Sequence, residues 1–91
     1  MITDGGEDEG SPYLKAAILE VVDNQIRDND PPETSQTYAR LVKEGHSKAD
    51  AKRLIGCVVV SEIFDILKKK QPFDLKRYVE ALGKLPELPK D

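Results

Sequence analysis

A chain of 91 residues is long enough for one small domain with one modest core. Its 38% hydrophobic and 34% charged content excludes a low-complexity tail and fits a globular protein. The net charge of −3 is unevenly spread: Asp4, Glu7, Asp8 and Glu9 open the chain without a base, and the other 81 residues carry 13 acids against 14 bases, far from the strongly basic footprint of a nucleic-acid binder.

Residues 1–10, small, acidic and glycine-containing, read as a disordered arm, and 11–91 as a single helical domain. Ser11-Pro12 is a helix start, with a cap followed by proline in the first turn. From there Leu14, Ala17, Ile18, Val21 and Gln25 recur at helical spacing, widened by Leu19, Val22 and Ile26, and Asn29-Asp30 close a first helix near Asp28. Asp30-Pro31-Pro32-Glu33 predicts a second helix opened by an Asp30 capping box. Its apolar stripe is Tyr38, Leu41 and Val42, with Thr34 beside them, and Gly45 ends it.

Ser47-Lys48-Ala49-Asp50 caps a third helix that runs to about Lys70. The link between the second and third helices is so short that the two must be neighbours. The third helix is apolar nearly all round: Leu54, Ile55, Cys57, Val58, Val59, Val60, Ile63, Phe64, Ile66 and Leu67. Such a helix needs cover on every side. Gln71-Pro72 stops it, Asp74 caps a fourth helix, and Phe73 is placed to staple onto Tyr78. Leu75, Tyr78, Val79 and Leu82 form the inward face, with Gly83 as the stop. The segment Leu85-Pro86-Glu87-Leu88-Pro89 is expected to be extended, its leucines available to pack across the bundle.

On a wheel of roughly 100° per residue, Glu62 falls among Ala51, Ile55, Val58, Val59 and Ile66. A carboxylate there has to be ion-paired, hydrogen-bonded or protonated. The expected partner is Arg40, Arg27, Gln25 or the hydroxyl of Tyr13, Tyr38 or Tyr78. The functional alternatives are a metal ligand, a proton acceptor or a polar specificity element at a homodimer seam. The single histidine, His46, stands about 16 residues of helix away, roughly 24 Å at 1.5 Å each, so the two cannot share an ion within one chain. His46 reads as a turn residue or staple.

Cys57 is the single cysteine, which excludes an intramolecular disulfide and a paired-thiolate zinc site. Its apolar surroundings predict a small buried hydrophobe. Lys68, Lys69, Lys70, Lys76 and Arg77 form a local basic cluster, read first as cations placed at a helix C-terminus. HExxH, CxxC, GxSxG and glycine-rich phosphate-loop motifs are absent from the sequence, which gives no basis for an enzyme, a cofactor or a metal. The opening MITDGGEDEG is unlike a signal or transit peptide, and no run reaches the roughly 18 apolar residues of a membrane span, so a cytoplasmic protein is expected.

Residues 34–86, with a helix, a glycine turn, GHSKADAKRLIGCVVVSEIF and a PFDLKRYVEALGKLP close, resemble a class of short uncharacterised bacterial helical proteins. The resemblance implies a fold more than an activity. Some similar sequences carry histidines where Ala49 and Arg53 stand here, and this chain lacks both, so a metal role is not carried over. Leu41 through Gly45, Asp50-Ala51 and Leu54 are more weakly similar to ubiquitin-associated-like domains. The third helix is about twice too long for that fold and His46 replaces its loop aromatic, so ubiquitin binding is not carried over either.

The sequence therefore predicts an all-α fold, a compact four-helix bundle with a long central third helix. Three helices can only just cover that strut, which leaves room for a homodimer. The expected function is a small non-catalytic protein-interaction module. Glu62, Val60, Phe64, Leu67 and His46 are its interaction candidates, and a protein or a second copy is its partner; burial of Phe64 by the fourth helix is the competing expectation. A metal-binding or enzymatic domain centred on Glu62 is the first alternative. A helix-turn-helix-like nucleic-acid binder using the Gly45 turn and the basic cluster ranks third, because the helix after the turn lacks a polar groove-facing side.

Overall fold

The computed structural model describes residues 12–88 and shows an all-α fold of four helices. They are α1 (Pro12–Asp28), α2 (Pro32–Lys43), α3 (Lys48–Lys69) and α4 (Leu75–Lys84). The expected acidic arm and the Ser11 cap lie outside the described residues.

The helix ends follow local chemistry. Asn29 takes a left-handed conformation after α1, and the Asp30 N–H donates back to the Gln25 carbonyl at 3.1 Å. Asp30 is thus used to finish α1, and the N-cap of α2 is Pro31, which has no side chain able to accept. The expected Asp30 capping box does not form. At the other end of α2, Gly45 sits at φ 108°, a region that side chains with a Cβ rarely enter. The N–H of Gly45 reaches Val42 and that of His46 reaches Leu41, both at 3.1 Å, the paired bonds of a Schellman turn. The Ser47 hydroxyl then accepts from the Asp50 N–H and caps α3. Lys70 closes α3 in the left-handed conformation, and Asp74 caps α4 by accepting from Arg77. α4 runs through Gly83, expected as its stop, and ends at Lys84.

α3 is the strut of the bundle. α1 and α4 each pack against both α2 and α3. The core is Ile18 and Val22 of α1, Leu41 of α2, Ala51, Ile55, Val58 and Val59 of α3, Tyr78 and Leu82 of α4, and Leu85. Burying each large aliphatic contributes about 1.5–3 kcal/mol before entropy is counted. Gly56 lets α1 approach closely, since a Cβ there would meet Ile18 at 3.2 Å. The buried face of α1 is narrower than its sequence implies: Ile18 and Val22 are buried and Ile26 partly so, whereas Leu14, Ala17 and Val21 are exposed. Leu75, expected to face inward, is also exposed.

Polar ties fix the helices to one another. The Gln25 amide oxygen accepts from Thr34 at 2.8 Å and from Tyr78 at 2.9 Å, joining α1, α2 and α4 inside the core. Arg40 donates to the carbonyls of Leu82 and Leu85 at 3.1 and 3.0 Å, covering the end of α4 with a cation. Lys52 pairs with Asp23 at 2.8 Å beside the Tyr38 ring. Its pKa is raised, first by the hydrogen bond to Asp23.

Candidate interaction surface

Glu62 is 5% exposed, as its place on the wheel requires. Its partner is Arg77 of α4, which none of the expected partners was. The Nε of Arg77 donates to both carboxylate oxygens at 3.3 and 3.2 Å, and Nη2 donates to Oε1 at 3.1 Å. Asp65, one turn further along α3, adds a looser contact to Nη2 at 3.7 Å. These carboxylates raise the Arg77 pKa, the hydrogen bond to Glu62 most of all. The pair ties α3 to α4 at the wall of a polar hollow of about 390 Å³ that Asp65, Glu80, Lys84 and Glu87 also line. Arg40 and Tyr78, named among its expected partners, serve the α4 C-terminus and the Gln25 network instead.

The opposite side of α3 is different. Cys57, Val60, Phe64 and Leu67 succeed one another at intervals of three, four and three residues. At 100° per residue, the centre of this stripe lies about 180° from Glu62. Phe64 is 62% exposed and Leu67 69%, and Ile63 flanks them in the open. α4 therefore does not bury Phe64. Cys57 is exposed too, against expectation: the apolar run containing it wraps the whole helix, and the bundle covers one side of that helix.

Two hollows meet along the stripe. One, of about 550 Å³, lies between α1 and α3 and is lined by Leu14, Ile18, Leu19, Gly56, Cys57 and Val60, with Lys15, Asp50 and Arg53 among its polar residues. The other, of about 610 Å³, is formed by α3 alone, from Cys57 and Val60 to Phe64, Leu67 and Lys68. Apolar side chains at this spacing on an open helix face have the geometry that helix–helix seams use.

The remaining candidates do not join the stripe. His46 is half-buried, and its backbone closes the turn after α2. Lys68, Lys69, Lys70 and Lys76 are exposed at the C-terminal end of α3 and the start of α4, but Arg77 is drawn out of the expected basic cluster by Glu62. Among the described residues, no group of three or more His, Cys, Asp or Glu side chains is placed to hold a metal ion. Nor is any helix among them long and apolar enough to cross a membrane. The groove residues Leu14, Leu19 and Gly56 escape a sequence reading, since only the α1–α3 packing brings them beside Cys57.

The fold and its open face define the chain as an all-α four-helix protein with one helix apolar on two opposite sides. No protein family, curated protein or solved structure matches this chain.

Proposed function

We propose that the protein is a small cytoplasmic, non-catalytic helical interaction module whose working surface is the outer face of α3. One observation carries the reading: Phe64 and Leu67 stand exposed in a row with Val60 and Cys57, continuous with an apolar groove, on the helix the bundle is built around. Side chains needed only for folding would turn inward, and an open apolar row of this kind has its use in association. Glu62 supports the same reading, because its carboxylate is held by Arg77 as a tie between α3 and α4.

A labelled amphipathic helical peptide with leucines at the same 3-4-3 spacing tests the surface. Its fluorescence anisotropy should rise and saturate with the full chain and stay flat with Phe64→Asp. Equal binding by the variant, or none by the wild type, overturns the reading.

A further inference from the structure

We infer that the occupant of this surface is a second copy of the chain, paired with α3 antiparallel to α3 so that Leu67 of each copy enters the α1–α3 groove beside Cys57 of the other. The inference rests on the interaction-module reading and names its partner.

Size complementarity within the stripe leads to it. Cys57 and Val60 are its small members, Phe64 and Leu67 its large ones, and the small end opens into the groove while the large end stands on α3 alone. A twofold axis between Val60 and Phe64 sets Phe64 over the partner's Val60 and Leu67 over the partner's Cys57. Each large side chain then meets a small one, and each copy supplies both projection and recess, as a twofold interface requires. A parallel pairing would instead set Phe64 on Phe64 and leave the groove unfilled.

Charge separates the two arrangements in the same sense. Lys68, Lys69 and Lys70 follow the stripe directly. In parallel they would lie side by side across the seam. Antiparallel, Lys68 of one copy faces Gly56 of the other, where the cations Lys15 and Arg53 are accompanied by the carboxylate of Asp50, and the two Lys68 positions are about 18 Å apart along the axis, beyond a screening length of roughly 8–10 Å. The patch is one helix face and one groove, small beside the roughly 1,600 Å² of a standard interface, so the dimer should be a weak one.

Cys57 makes the geometry testable in the 91-residue chain. In the antiparallel register the two native thiols are about 15 Å apart along the axis, too far for a disulfide, whose Cα atoms lie within about 7 Å. Leu67→Cys places a second thiol opposite the partner's Cys57. Residue 67 is exposed, so the fold should tolerate the change. Under mild oxidation with diamide, Leu67→Cys should run as a reducible covalent dimer on a non-reducing gel. The wild type and Cys57→Ser/Leu67→Cys should run as monomers. Cross-linking of the wild type as efficient as that of Leu67→Cys would overturn the antiparallel register. Absence of the dimer in Leu67→Cys, with wild-type light scattering constant at one-chain mass, would overturn self-pairing altogether. Peptide binding by such a monomer would leave the interaction-module reading standing, so the two failures are distinguishable.

Discussion

Arg77 grips the buried Glu62 carboxylate with Nε and Nη2, at 3.1–3.3 Å, across the seam between α3 and α4. This pair explains how α3 can carry an acid on its most apolar side. It also fixes which side of α3 faces the core, and therefore which side is left outside.

Removing one partner of such a pair should cost more than removing both. Glu62→Gln keeps the shape but weakens the charge-assisted bonds, and should destabilise by about 1–2 kcal/mol. Arg77→Met leaves a carboxylate in the seam without its cation, and should lower the melting temperature as well. Glu62→Leu/Arg77→Met should recover much of the loss of either single change. Chemical denaturation of the four proteins checks this. A double variant no better than Arg77→Met would contradict the assignment.

Arg40 should matter through α4 and not through its ion pair. Arg40→Ala frees the Leu82 and Leu85 carbonyls and should cost about 1–2 kcal/mol. Glu44→Ala removes the exposed pair with Arg40 and should change stability by less than about 0.5 kcal/mol. Urea midpoints of the two variants separate these contributions.

Alkaline pH should unlock the Gln25–Thr34–Tyr78 network. Burial raises the Tyr78 pKa above its ordinary 10.0, and the Glu62 charge adds to this against the Thr34 hydrogen bond. The unfolded chain therefore releases the tyrosine proton before the folded one does. Stability from this group is complete below about pH 10 and is lost as pH rises through the folded-state value. The raised pKa of Lys52 acts in the same direction from 10.5 upward. Tyr78→Phe should lose about 1–2 kcal/mol at neutral pH through its missing hydrogen bonds. Its melting temperature should then fall less steeply than the wild type's between about pH 9 and pH 11. Parallel slopes would contradict the buried phenol as a source of the alkaline loss.

The outer stripe should behave unlike the core in folding. Val58 is fully buried, and Val58→Asp should abolish the folded state, because it places an unpaired charge in the core. Leu67→Asp should leave the monomer's stability within about 0.5 kcal/mol, since its side chain is already in water. Circular dichroism melts at low concentration make the comparison.

Much of this fold is legible in the sequence because helix ends are local events. Ser47, Asp74 and Gly45 act within a few residues of themselves, and each occurs where its spacing predicts. The Asp30 cap is lost because the turn that closes α1 holds Asp30 one residue outside α2, whose N-cap is Pro31. Partners of long side chains are not local. Arg77 and Arg40 reach across the bundle, so their acceptors depend on helix placement, which composition does not encode. The exposure of Cys57 is hidden for a related reason. A helix apolar on two sides does not say which side its own domain covers; here the side bearing Glu62 is covered, because Arg77 waits there on α4.

Static light scattering of the full chain over a concentration series tests the central claim most directly, with Phe64→Asp measured alongside. The account predicts that the wild-type mass climbs from one chain toward two as concentration rises, while Phe64→Asp stays at one chain throughout. A wild-type mass fixed at one chain to high concentration, or an unchanged dimer in Phe64→Asp, would contradict it.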